Sequence, residues 1–123
     1  MKRLGDGELE IMLAIWRAEG PVQSGWVQEQ LRESRPWALP AVITTLNRLV
    51  DKGFLVCEKR GRGNWYTPRI SARDYKASEG RGLIDRLYDS SFTGMVAALY
   101  DGQAIGDSDL EQLRKYLDEL EGK

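Results

Sequence analysis

Residues 40–68, PAVITTLNRLVDKGFLVCEKRGRGNWYTP, change hydrophobic period once, and that change sets the fold. Between Pro40 and Lys52 the residues Val42, Thr45, Leu46 and Leu49 recur at three- and four-residue steps, the spacing of one buried helix face. Proline suits the first turn of such a helix, and Gly53 is a natural C-terminal stop. The next run, Phe54-Leu55-Val56-Cys57-Glu58-Lys59, reads as a strand. Arg60-Gly61-Arg62-Gly63 reads as a turn, and Asn64-Trp65-Tyr66-Thr67 as the returning strand, closed by Pro68.

Two helices are expected upstream. From Asp6 to Glu19 the residues Leu9, Met12, Leu13, Ile15 and Trp16 form one face, with Glu8, Glu10 and Arg17 on the other. Asp6 can cap this helix and Gly20-Pro21 stops it; Val22 and Gln23 form a short extended link. A second helix starts at Gln23 or Ser24, carries Trp26, Val27, Gln30 and Leu31, and runs to Ser34 before Arg35-Pro36. Three helices followed by a hairpin is the order of a winged helix, and two short helices joined by a tight link suit helix-turn-helix.

The remainder reads as helical. Ser71 can cap a helix reaching about Tyr88, with Tyr75, Leu83, Ile84, Leu87 and Tyr88 apolar. Gly80 and Gly82 weaken its middle by about 1 kcal/mol each relative to Ala. A short helix, Phe92 to Tyr100, holds Met95, Val96 and Leu99. After a loop bracketed by Gly102 and Gly106, the capping box Ser108-Asp109-Leu110-Glu111 starts the last helix. The expected fold is mainly α with a small β-hairpin: a winged helix-turn-helix over residues 1–70, then a helical dimerisation segment over 71–123. Three short helices enclose little core, so a second copy is expected to pair through Leu83, Ile84, Leu87, Leu110, Leu113, Tyr116, Leu117 and Leu120. The other reading folds these helices back on the winged domain.

Composition narrows function by exclusion. Among 123 residues Cys57 is the only cysteine and histidine is absent, which removes disulfides, Cys/His zinc sites and histidine-based catalysis. No Gly-rich phosphate loop and no cofactor motif is present, so an enzyme is not expected. Neither a signal peptide nor an apolar run of ~20 residues appears, and a cytoplasmic location is expected. The net charge of −1 divides unevenly. Residues 1–70 carry 11 Lys/Arg against 8 Asp/Glu, residues 71–123 carry 7 against 11, and Arg35 to Arg69 alone carry 7 against 2. A local basic surface is what attracts phosphate.

With Val42, Leu46 and Leu49 inward, the outward face of the third helix carries Ala41, Thr44, Asn47, Arg48 and Asp51, with Ile43 at its margin. Thr44 can bond a base or phosphate and Arg48 can fork onto guanine, while Pro40, Ala41 and Ile43 offer apolar contact. The alternative is a solvated face with Arg48 paired to Asp51. Lys59, Arg60 and Arg62 around the hairpin turn are candidate phosphate contacts. Trp16, Trp26 and Trp65 are assigned to the core and Trp37 is left open between core and base stacking. Cys57 is expected to pack as a small hydrophobe.

The chain resembles the penicillinase-repressor family, which includes the regulators of methicillin resistance. The resemblance rests on Glu8-Leu9-Glu10-Ile11-Met12, Ile15-Trp16 and Gly20-Pro21-Val22, then Val42, Thr44, Leu46-Asn47-Arg48-Leu49 and Lys52-Gly53. It continues through Arg60-Gly61-Arg62, Tyr66-Thr67-Pro68 and the helical segment from Leu87-Tyr88 to Leu120. It implies a homodimeric repressor on palindromic double-stranded operator DNA. In the best-known members a membrane-bound sensor metalloprotease responds to β-lactam, and the repressor is cut between Asn and Phe in the dimerisation segment. The corresponding bond here is Ala98–Leu99, where neither residue matches. The cysteine-rich hook of the copper-responsive relatives is absent, and Ala41-Val42 replaces a common Thr-Val. Two rivals remain: a winged-helix regulator sensing a small ligand between its two domains, and a winged-helix protein-interaction module that does not bind DNA.

Overall fold

The computed structural model describes residues 1–122. Helix α1 (Asp6–Arg17) begins after Gly5, whose N–H donates to the Glu8 carboxylate at 2.8 Å. Asp6 is therefore the first helical residue and not the cap, because the side chain one turn on satisfies the orphan donor. Ile11, Met12, Ala14 and Ile15 face the core. Past Gly20-Pro21 the chain extends, and Val22 and Tyr66 exchange backbone hydrogen bonds of 3.0 and 2.8 Å. That pairing seats the interhelical link against the hairpin.

Helix α2 (Ser24–Gln30) is shorter than its sequence pattern suggests. The Leu31 N–H is shared between the carbonyls of Val27 and Gln28, both at 3.3 Å, and the helix gives way to a turn over residues 31–34. The link to the third helix is consequently residues 31–38 and not a tight turn. The Gln28 side chain fastens it by donating to the Trp37 carbonyl at 3.0 Å. Helix α3 (Leu39–Asp51) buries Val42, Thr45, Leu46 and Leu49, the stripe expected of it. Gly53 stops it with a φ of 84°, a conformation an L side chain resists, and the Phe54 N–H returns to the Leu49 carbonyl at 2.9 Å.

That cap aims the chain into β1 (Leu55–Arg60), which pairs antiparallel with β2 (Gly63–Pro68) from Leu55↔Pro68 to Arg60↔Gly63. The turn is Gly61-Arg62, with a positive φ of 60° only at Gly61, as a type II′ hairpin turn requires. Only Leu55 of β1 and Tyr66 of β2 are buried, so the hairpin projects from the core as a wing.

Helix α4 (Ala72–Leu87) is capped by the Ser71 hydroxyl, which accepts from the Asp74 N–H at 3.0 Å. It runs unbroken through Gly80 and Gly82. The first of two compact units runs from Met1 to Glu79 and takes in the first two turns of this helix. The reason is Tyr75, whose ring lies 5.6 Å from Phe54 and 5.8 Å from Trp16, and whose hydroxyl accepts from the Leu4 N–H at 3.0 Å. The second unit, from Gly80 onward, contains the rest of α4, α5 (Phe92–Asp101) and α6 (Asp107–Glu121). Ser91 caps α5 by accepting from the Gly94 N–H. Helix α6 starts two residues earlier than the expected capping box implies, because the Asp109 carboxylate accepts from the Gly106 N–H at 2.9 Å and Gly106, not Ser108, is the cap. No described helix is long and apolar enough to cross a membrane.

Candidate nucleic-acid interface

The inward stripe of α3 leaves Pro40, Ala41, Ile43, Thr44, Asn47, Arg48 and Asp51 exposed on one face. The Thr44 hydroxyl donates to the Pro40 carbonyl at 2.9 Å, which commits its proton and leaves the oxygen able to accept. Arg48 forms no ion pair or hydrogen bond among the described residues, so the alternative pairing with Asp51 is not formed. On the wing Lys59 and Arg62 are likewise exposed and unpaired among the described residues. Arg60 is held differently. Its guanidinium lies 3.2 Å from the Glu58 carboxylate and 5.8 Å from the Trp65 ring centre. Both members of that pair are more than half exposed, so it is weak and exchangeable for another anion.

The basic surface is thinner than the count over Arg35 to Arg69 suggests. Arg35 pairs with Glu10 at 3.4 Å, and the Lys52 ammonium lies 2.7 Å from the Glu8 carboxylate. Glu8, expected on the solvent side of its helix, is buried at 6% exposure. Its position was visible in the pattern: residues 8, 11, 12 and 15 are one helical stripe, and only its charge argued otherwise. Burial alone would raise the Glu8 carboxyl. The hydrogen bonds from Lys52 and the Gly5 N–H, with the positive charges of Lys52 and Arg48, outweigh it and hold the group below its ordinary value. The pair ties the start of α1 to the end of α3, and so fixes the helix that carries Arg48.

A test follows from the sign of that shift. A carboxylate with a lowered folded-state pKa contributes stability above its unfolded value and loses it as pH falls through the folded one. Stability should therefore decline as the pH drops below ~4, and Glu8→Gln should flatten that decline. Lys52→Met, which strands the buried carboxylate, should cost about 1–3 kcal/mol at neutral pH. Urea unfolding across pH measures both effects.

The aromatic residues divide unlike their sequence assignment. Trp16 and Trp26 pack against the core, and Trp16 donates to the Ile70 carbonyl at 2.9 Å. Trp37 does too; its indole N–H approaches Glu10 at 3.4 Å and the Arg35 guanidinium covers its ring at 4.7 Å. Trp65 does not join the core, because Tyr66 occupies the inward side of the pleat and its neighbour must face out. Cys57 is exposed and not packed, since β1 leaves the core after Leu55.

The second unit is unusual in having no buried side chain among its described residues. Ile84, Leu110 and Leu113 are half-buried, while Leu83, Leu87, Tyr116, Leu117 and Leu120 are 41–64% exposed. Ala98 is exposed and Leu99 half-buried, both within α5.

Known proteins resemble the chain in part of its fold. The solution structure of the DNA-binding domain of the repressor BlaI matches with a TM-score of 0.52 and 36% identity, over 61% of this chain and 94% of that one. The Bacillus licheniformis BlaI monomeric form in complex with the blaP half-operator matches with a TM-score of 0.51 and 35% identity, over 60% and 89%. In sequence, the penicillinase repressor of Bacillus licheniformis is 28% identical over 117 residues, 95% of this chain and 91% of its own length. The family model described as penicillinase repressor matches residues 4–119, nearly the whole of α1 to α6 and the wing between them. The chain belongs to the penicillinase repressor family.

Proposed function

We propose that the protein is a transcriptional repressor that binds double-stranded operator DNA as a homodimer. In this reading α3 lies in the major groove and the wing lies along the phosphate backbone. The observation that carries it is Arg48: exposed, in no ion pair among the described residues, and beside Thr44 and Asn47 on the outward face of α3. Lys59 and Arg62 supply free positive charge on the wing. The half-operator complex of the related BlaI supports assigning DNA to this surface.

Pairing is the second element. A helical segment that buries no side chain on its own, and exposes Leu83, Leu87, Tyr116, Leu117 and Leu120, has its core supplied by another copy. Two-fold pairing matches a palindromic site with half-sites ~10 bp, or a multiple of that, apart. Cleavage between Ala98 and Leu99 by a membrane-bound sensor metalloprotease would separate α6 from the winged unit and so end pairing. Both residues are helical, so α5 must unwind locally for such a protease to engage an extended segment.

Selection from a random DNA pool with the full chain tests the reading. The bound sites should be two-fold symmetric, and affinity should fall steeply with salt. Arg48→Ala should cost about 1–3 kcal/mol on the selected site, and Arg62→Ala should weaken all sequences nearly alike. Binding without salt dependence, untouched by either change, would exclude this surface.

A further inference from the structure

We infer that the first two turns of α3 read thymine through its C5-methyl group, using an apolar patch of Leu39, Pro40, Ala41 and Ile43 with the Thr44 methyl. The inference rests on the proposed binding of DNA by α3, and it names what that helix recognises there.

Leu39 and Ile43 are each 37% exposed, and Pro40 and Ala41 are exposed beside them. None of these residues belongs to the core stripe of Val42, Thr45, Leu46 and Leu49. Ala38 occupies the N-cap and contributes no side-chain hydrogen bond, so the helix opens without a polar side chain. The next polar group is Thr44, whose hydroxyl proton is committed to the Pro40 carbonyl. Side-chain donors for base edges begin only at Asn47 and Arg48, in the second half of the helix.

The N-terminal part of a recognition helix makes its base-edge contacts. In the major groove each base edge presents donors and acceptors, and the single apolar feature is the thymine methyl. An apolar leading end therefore has one favourable partner among the four bases. Opposite any other base it leaves donors or acceptors desolvated without partners. The positive charges of Arg48, Lys59 and Arg62 on the same unit, none of them in an ion pair among the described residues, favour a polyanion over an apolar protein surface as the occupant.

The experiment uses the full chain and duplexes selected by it from a random pool, resynthesised with deoxyuridine in place of one thymidine at a time. This removes a methyl and preserves base pairing. One or two positions in each half-site should bind about fourfold more weakly per methyl removed. Leu39→Ala and Ile43→Ala should weaken binding to the thymidine duplex and shrink the thymidine-to-deoxyuridine ratio at those positions. Arg62→Ala should lower both affinities and leave the ratio unchanged. If deoxyuridine is tolerated everywhere while Arg48→Ala still weakens binding, methyl reading is overturned and DNA recognition by α3 stands. A ratio that survives in the Leu39→Ala and Ile43→Ala proteins overturns the assignment to this patch. Failure to select any sequence overturns both readings.

Discussion

Leu117→Asp is expected to give a folded monomer whose affinity for a complete two-fold operator is lower by a hundredfold or more, about 2.7 kcal/mol. In the single chain Leu117 is 46% exposed, so an aspartate there meets water and costs the fold little. In a pair formed through α6 the same carboxylate would be buried without a partner. The seam is regular: Leu110, Leu113, Leu117 and Leu120 recur at steps of three, four and three residues along α6. Splitting the pair forfeits the effective concentration that one bound module confers on the other, while binding to an isolated half-site stays unchanged. Sedimentation with titration of full and half operators reads both quantities. A stable dimer carrying Leu117→Asp would move the interface to another surface.

What the sequence disclosed and what it concealed follow one physical distinction. Periodicity and punctuation report burial, and they located the α3 stripe, the hairpin and the Gly53 stop to within a residue or two. They also set Thr44, Asn47 and Arg48 outward, because a helix with one buried face leaves no other place for them. Pairings between distant segments leave no such signature. Glu8 and Lys52 meet across 44 positions, and a glutamate on an apolar stripe reads as solvated until its partner is visible. The strand positions of Trp65 and Cys57 suggest core, but the wing runs past the core edge and burial there ends at Leu55 and Tyr66. Helix starts failed for a related reason. At α1 and α6 a carboxylate three residues into the turn satisfies a glycine N–H, so the cap residue itself carries no polar signal.

The limit of the winged unit is the other place where a distant contact decides the outcome, and it carries the second large effect. A chain ending at Ser71 has every residue of the helix-turn-helix and the wing, yet it should lose about 3–5 kcal/mol relative to a chain ending at Glu79. The loss centres on Tyr75, 5% exposed, which closes the core over Phe54 and Trp16 and anchors the N-terminal arm through the Leu4 N–H. Domains of this size are stable by only about 5–15 kcal/mol, so the shorter chain should be partly unfolded at 37 °C. Tyr75→Ala in the full chain should reproduce most of the effect. Tyr75→Phe, which keeps the ring and deletes only the hydroxyl, should cost about 1 kcal/mol. Urea unfolding followed by tryptophan fluorescence measures all four proteins, since Trp16 lies against the ring being removed. Equal midpoints for the two truncated chains would return the boundary to residue 70 and make Tyr75 a bystander of the fold.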